Sequence, residues 1–182
     1  MMPLENSTTI SKASDTSDSN ECSRSKPTVL VMGIGNILLS DEGAGIRVIE
    51  NLLSHYTFPE AIEVIDGGTM GMELLSYFDE KSNIIIIDAV RAGFSPGTVT
   101  KIDNLPAFFK NRISPHQIGL TDVLAMATVS EGSAPNVLLF GIEPGNIDTG
   151  MDMSREVRSK INYLADKVVE ELRSYGFKLE PK

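Results

Sequence analysis

Two adjacent acids follow a strand-like apolar stretch at a position where a nucleotide-binding protein would bind phosphate. Residues 29–46 read VLVMGIGNILLSDEGAGI, in which Gly-x-Gly is followed by Asp41 and Glu42. A dinucleotide-binding turn needs glycine or alanine at Leu38, and a P-loop needs a Gly-Lys-Ser/Thr tripeptide that the chain lacks. Carboxylates here would also repel a pyrophosphate. The turn therefore argues against a nucleotide site, and taken alone the two acids are best explained as ordinary acids in the first turn of a helix.

Further polar side chains are predicted at the same edge of a sheet. Asp66 and Asp88 each close an apolar run, and His116 opens a helix that follows the fourth predicted strand. Ligands of open α/β sheets bind beyond the carboxyl ends of the strands. Glu42, Asp66 and His116 together make an oxygen, oxygen and nitrogen ligand set that suits nickel or zinc better than magnesium. Asp66 and Asp88 could each instead cap a turn, and for Asp88 turn capping is the favoured interpretation.

Other kinds of catalytic and binding site find no support in the sequence. The chain has no His-Glu-x-x-His helix of a zinc protease and no Gly-x-Ser-x-Gly elbow of a serine hydrolase. Its one cysteine, Cys22, excludes an intrachain disulfide and a thiolate metal cluster. The formal charge of −9 argues against sequence-independent binding to nucleic acid and against binding to an anionic membrane surface. No apolar run approaches the roughly 20 residues of a membrane span, and we expect a soluble cytoplasmic protein.

Strand and helix patterns alternate around these residues. Residues 1–26 are polar and are predicted to be a disordered tail, whereas residues 27–182 are predicted to form a single α/β domain. Strands are predicted at 28–33, 62–66, 83–90, 98–103 (a half-polar edge strand) and 136–143. Helices are predicted at about 41–54, around 72–78, from Ser114, and from Ser154 to Gly176. This alternation predicts a three-layer, doubly wound, mainly parallel sheet with helices on both faces.

The candidate residues also lie in motifs of a known family. Residues 33–45 match the pattern Gly-x-Gly-Asn-x-Leu-x-x-Asp-(Asp/Glu)-Gly-x-Gly, residues 66–75 match an Asp-Gly-Gly-Thr block, and residues 114–120 match a histidine block. Over residues 28–175 the chain resembles the hydrogenase maturation endopeptidases. These enzymes remove a C-terminal peptide from the large subunit of [NiFe]-hydrogenases.

The resemblance implies that Glu42, Asp66 and His116 are nickel ligands, and that the nickel is supplied by the large-subunit precursor on which the protein acts. We expect an aspartic-type or metal-dependent hydrolase that works on this partner as a monomer. Asp66 or Glu42 is expected to activate water as the general base, and a direct Lewis-acid role for nickel is the alternative. The same fold and site would also serve an accessory protein that senses or docks the nickel-loaded precursor without hydrolysing it.

Overall fold

The computed structural model of the chain describes residues 28–105, 107 and 135–182. The predicted tail, His116 and the helix predicted from Ser114 lie outside the described residues. The described strands are β1 Val29–Ile34, β2 Tyr56–Thr57, β3 Ile62–Gly68, β4 Asn83–Ala89, β5 Val99–Ile102, β6 Asn136–Ile142 and β7 Glu180–Pro181. The described α-helices are α1 Ala44–His55, α2 Arg155–Arg158 and α3 Ile161–Ser174, and 3-10 helices cover Ser40–Gly43 and Met72–Tyr77.

A mainly parallel sheet lies at the centre of the fold. Its strand order is β3-β1-β4-β6-β5, and only the edge strand β5 runs antiparallel to its neighbour. The isoleucines at positions 84–87 are fully buried because β4 is the central strand and both of its faces are covered. The predicted mainly parallel α/β sheet and its edge strand are confirmed. The sequence analysis missed the small pair of β2 and β7, since two-residue strands carry no periodic signal.

Alternate side chains of the strands pack against different layers. On one face, Val31 and Ile85 belong to the same buried cluster as Leu52 of α1 and Leu164 of α3. On the other face, the neighbouring strand residues pack in a second cluster with Leu74 of the 3-10 helix. This division follows from the twofold side-chain period of a strand, and it confirms a sheet covered on both faces.

Helix boundaries differ from the predicted ones in three places. The helix predicted at 41–54 begins as the 3-10 turn Ser40–Gly43, and the one predicted at 72–78 is wholly 3-10. The last predicted helix is divided into α2, whose N-cap is Ser154, and α3, which ends just before Gly176 with its φ of +90°. Its predicted apolar stripe is buried as expected. Among the described residues, no helix is long and apolar enough to cross a membrane.

Candidate functional site

The tight exit from β1 brings the acidic turn back against the edge of the sheet. Gly35 has a φ of +135°, and a Cβ at this position would lie 1.9 Å from the carbonyl oxygen of Glu42. Glycine is required because a side chain would suffer both the backbone strain and the clash. At the start of α1, a Cβ on Gly45 would lie 2.3 Å from the carbonyl oxygen of Ile87. These close approaches place Glu42 at the carboxyl ends of β1 and β4.

Glu42 and Asp88 form a buried acidic pair at this edge. Only 8% of Glu42 and 3% of Asp88 are exposed. Burial raises the pKa of Asp88 from 3.8 to about 7, a hydrogen bond with the Ala89 backbone opposes the rise, and the charge of Glu42 adds to it. Neighbouring carboxylates that are both removed from water are stabilised by a shared proton or by a cation. The pair is therefore suited to contribute oxygen ligands to a divalent metal ion.

Asp66 lies at the same edge but on the outer side of β1. It stands opposite Gly33 in the β1–β3 ladder, while Ile87 stands opposite Gly33 on the β4 side. Because neighbouring strands are about 5 Å apart, the backbones of Asp66 and β4 are about 10 Å apart. The Asp66 side chain is exposed, and its Oδ1 accepts a hydrogen bond of 2.8 Å from the Gly68 N–H. The turn-capping interaction considered for Asp66 is thus present.

The described residues include two of the three predicted metal ligands. Glu42 and Asp66 lie at one edge of the sheet, Asp88 is the aspartate that is electrostatically coupled to Glu42, and His116 lies outside the described residues. Within residues 28–105, 107 and 135–182, no three His, Cys, Asp or Glu side chains are grouped closely enough to hold a metal ion. A complete metal site at this edge therefore needs a donor from another part of the chain or from a substrate.

Asp41 has a structural role that the sequence analysis did not identify. The residue is fully buried, and its Oδ2 accepts hydrogen bonds of 2.8 Å from the Gly145 N–H, the Asn146 N–H and the Ser154 hydroxyl. Its Oδ1 accepts a fourth hydrogen bond, of 2.6 Å, from the Ser154 N–H. Asp41 therefore ties the segment 145–154 to the 3-10 turn that carries Glu42. Its partners are more than 100 residues away along the chain, and no local pattern predicts this contact.

Glu143 organises a second loop at this edge. The residue is 7% exposed, and its carboxylate accepts hydrogen bonds from the backbone N–H groups of Ala92, Gly93 and Phe94 at 2.7, 3.3 and 3.2 Å. These bonds shape the loop that follows β4 and Asp88. In the sequence, Glu143 lies in a Gly-Ile-Glu-Pro stretch at the end of the strand predicted at 136–143, and nothing else about it indicates this role. A buried carboxylate that accepts several backbone N–H groups holds a loop in place, because losing those donors would leave the buried carboxylate unsatisfied.

Comparisons with known proteins identify the family of the chain and agree with its fold. The family model described as hydrogenase maturation protease matches residues 46–171. The chain is 37% identical over 157 residues to the hydrogenase 2 maturation protease of Escherichia coli K12, covering 85% of this chain and 96% of that protein. It is 36% identical over 155 residues to the hydrogenase expression/formation protein HupD of Rhodobacter capsulatus, covering 83% of this chain and 74% of that protein.

A solved structure extends the similarity to the fold. The hydrogenase maturating endopeptidase HybD from E. coli superposes on this chain with a TM-score of 0.79 at 36% identity, covering 85% of this chain and 98% of HybD. From its sequence, its sheet and these similarities together, the chain belongs to the hydrogenase maturation protease family.

Proposed function

We propose that this protein is an endopeptidase that removes the C-terminal peptide from the nickel-loaded large-subunit precursor of a [NiFe]-hydrogenase. Membership of the family supports the peptidase activity and the class of substrate. The observation that carries the proposal is the buried pair of Glu42 and Asp88 at the carboxyl edge of the sheet. A nickel ion brought to this edge by the precursor would relieve the repulsion between the two carboxylates.

We assign two roles to the three candidate carboxylates Glu42, Asp66 and Asp88. Glu42 and His116 retain the ligand roles that the family resemblance implies. For the second oxygen ligand, burial and coupling to Glu42 favour Asp88 over the exposed Asp66. Because Asp88 has a pKa of about 7, nickel at this position would displace a proton from part of the population at neutral pH.

The exposed Asp66 is the better placed of the candidates to act as the general base. A base in contact with solvent can accept a proton from a water molecule while the water oxygen adds to the scissile carbonyl carbon. The C–N bond then breaks, and the proton passes to the departing amine. The substrate's nickel positions the scissile bond, so cleavage is restricted to precursors that already carry the metal.

The proposal is tested by incubating the purified protein with nickel-loaded precursor and following the intact mass of the large subunit. We expect the mass to fall by that of the C-terminal peptide, and metal-free precursor to remain uncut. Glu42→Gln and His116→Ala should abolish cleavage. Matched controls are Glu50→Gln, whose side chain pairs with Arg47 on the surface, and His55→Ala, whose ring bonds locally at the end of α1. Cleavage by either site variant at the normal rate would refute the assigned roles.

The same assay distinguishes the roles of Asp66 and Asp88, and it also tests the alternative, non-hydrolytic function. Asp88→Asn should remove the discrimination between nickel-loaded and metal-free precursor in binding, whereas Asp66→Asn should keep that discrimination and slow the cleavage step. The opposite pattern would make Asp66 the ligand. If the wild-type protein binds loaded precursor and leaves its mass unchanged, the protein is a non-hydrolytic sensor or docking accessory.

A further inference from the structure

Large apolar side chains are exposed at the edge of the sheet that carries the acidic pair. Leu38 is 54% exposed and Met151 is 60% exposed. Three other strongly exposed residues, Met70, Met72 and Phe94, also follow the carboxyl ends of parallel strands. Scattered exposed apolar residues are normal on protein surfaces, but their concentration on the loops of one edge is typical of an interaction site.

Leu38 and Met151 lie on two segments that are bonded to each other. Leu39 and Gly150 form a parallel β-bridge, the Gly150 N–H donates to the Leu38 carbonyl at 2.8 Å, and the Ser40 N–H donates to the Gly150 carbonyl at 2.7 Å. The Ser40 hydroxyl also donates to the Asp148 carbonyl at 3.0 Å. We call the surface formed by Leu38 and Met151 the apolar ledge. Its backbone is preorganised, which lowers the ordering cost of binding a partner.

The ledge is continuous with the candidate site. Leu39 precedes the 3-10 turn that carries Glu42, and the Glu42 N–H donates to the Leu39 carbonyl at 3.1 Å. The network of Asp41 joins the same turn to the segment that ends at Ser154. A polypeptide that presents a metal ion to Glu42 would therefore pass over the ledge.

The charges on the loops at this edge indicate the character of the partner. Among the loop residues at this edge that the structure describes, the exposed ionisable side chains are mostly acidic (Asp66, Glu73, Asp148 and Asp152), and Arg91 is the one cation. Asp152 contacts Arg158 at 3.3 Å, but its side chain is fully exposed, and such surface pairs contribute little. Asp148 and Asp152 stand on either side of Met151 along the chain. This pattern is complementary to a segment that carries both apolar and basic side chains.

We propose that the apolar ledge is a docking surface for an apolar and basic segment of the large-subunit precursor, close to the bond that is cut. The identity of the partner rests on the proposed function. The ledge binds polypeptide and not metal, so its contribution is the same for nickel-loaded and metal-free precursor. It supplies affinity and register, whereas the acidic pair supplies recognition of the metal.

Metal-free precursor is the probe for this inference, because it should bind without being cut. We expect the double substitution Leu38→Ser with Met151→Ser to raise the Kd for this probe about tenfold or more, since the few apolar anchors at the centre of an interface carry most of its binding energy. With nickel-loaded precursor, KM should rise by a similar factor and kcat should change less than twofold. The single substitutions should each give part of the effect. Asp148→Asn with Asp152→Asn should slow association and weaken its dependence on salt.

Leu53→Ser is the matched control, because Leu53 is 42% exposed on α1 and lies away from this edge. It should leave Kd and KM unchanged. Unaltered Kd and KM in the double variant would overturn the inference while leaving the proposed function intact. If wild-type protein binds the precursor through the ledge but does not cut it, the docking surface is supported and the protease function fails. If the double variant binds precursor normally but loses self-association, the ledge is a contact between copies, and the inference is overturned.

Discussion

The acidic pair should make the protein less stable at alkaline pH than at mildly acidic pH, and Asp88→Asn should remove that penalty. Asp88 has a pKa of about 7 in the folded protein and 3.8 as an ordinary carboxyl. Between these values the folded state holds a proton that the unfolded state has released. The free energy of unfolding therefore falls by about 1.4 kcal/mol for each pH unit in this range. The stabilisation is complete below pH 3.8 and is lost as the pH rises through about 7.

The magnitude follows from the width of this window. A shift of about three pH units corresponds to at most about 4 kcal/mol, and the part between pH 5 and pH 8 to at most about 3 kcal/mol. The charge of Glu42 contributes to the raised pKa of Asp88, so the change includes the electrostatic effect of that neighbour. Asparagine is neutral throughout this range. The stability of Asp88→Asn relative to the wild type should therefore increase from pH 5 to pH 8 by up to about 3 kcal/mol.

The measurement is urea unfolding followed by circular dichroism in metal-free buffer at pH 5, 6, 7 and 8. The quantity compared is the difference in unfolding free energy between Asp88→Asn and the wild type, because other titrating groups largely cancel in it. Asp79→Asn, a substitution of an exposed aspartate, serves as the control and should not remove the wild-type trend. A difference that stays constant between pH 5 and pH 8, or that falls, would refute the described electrostatics of the acidic pair.

Two further predictions concern the framework that positions Glu42. Asp41→Asn should lower the unfolding free energy by about 2–4 kcal/mol, since one oxygen that accepts backbone hydrogen bonds becomes a donor; Ser154→Ala should cost less, about 1–2 kcal/mol, because its N–H still bonds Asp41. Equal losses in urea titrations of the two variants would contradict the hydrogen-bond assignment. Gly35→Ala should cost about 3 kcal/mol or more, from positive φ and the clash with the Glu42 carbonyl, and should impair cleavage of loaded precursor. Normal stability and activity of that variant would refute the required close approach.

The sequence predicted the sheet well because its strands are apolar runs with clear ends. The four isoleucines of β4 allow no other placement than burial on both faces, and the half-polar run at 98–103 corresponds to the edge strand Val99–Ile102. The 3-10 turns were missed because the residue spacing of one short turn does not distinguish them from α-helix. The division between α2 and α3 was missed for a similar reason, since their apolar stripe runs on without interruption.

The site was harder to predict than the fold. Glu42 could be selected from local sequence because it follows a strand and a glycine turn. The proposed choice between Asp66 and Asp88 rests on burial and on the charge of Glu42 acting on Asp88, and sequence motifs made Asp66 the more conspicuous of the two. Both aspartates close predicted strands, but the sequence analysis placed Asp66 in the predicted ligand set and favoured turn capping for Asp88. The strand order distinguishes them. It places β3, which carries the exposed Asp66, at the edge of the sheet and β4, which carries the buried Asp88, at its centre.

By itself, the sequence determined the class of fold and the acidic character of the turn after β1, and it predicted the edge of the sheet at which ligands would bind. These properties follow from side-chain periodicity and from the types of residue at the strand ends, both of which are local. The tertiary structure alone decided that Asp41 holds a distant segment, that Asp88 shares a dry environment with Glu42, and that Leu38 lies beside Met151. Each of these depends on contacts between residues far apart in the chain, and burial and electrostatic coupling exist only after those contacts form.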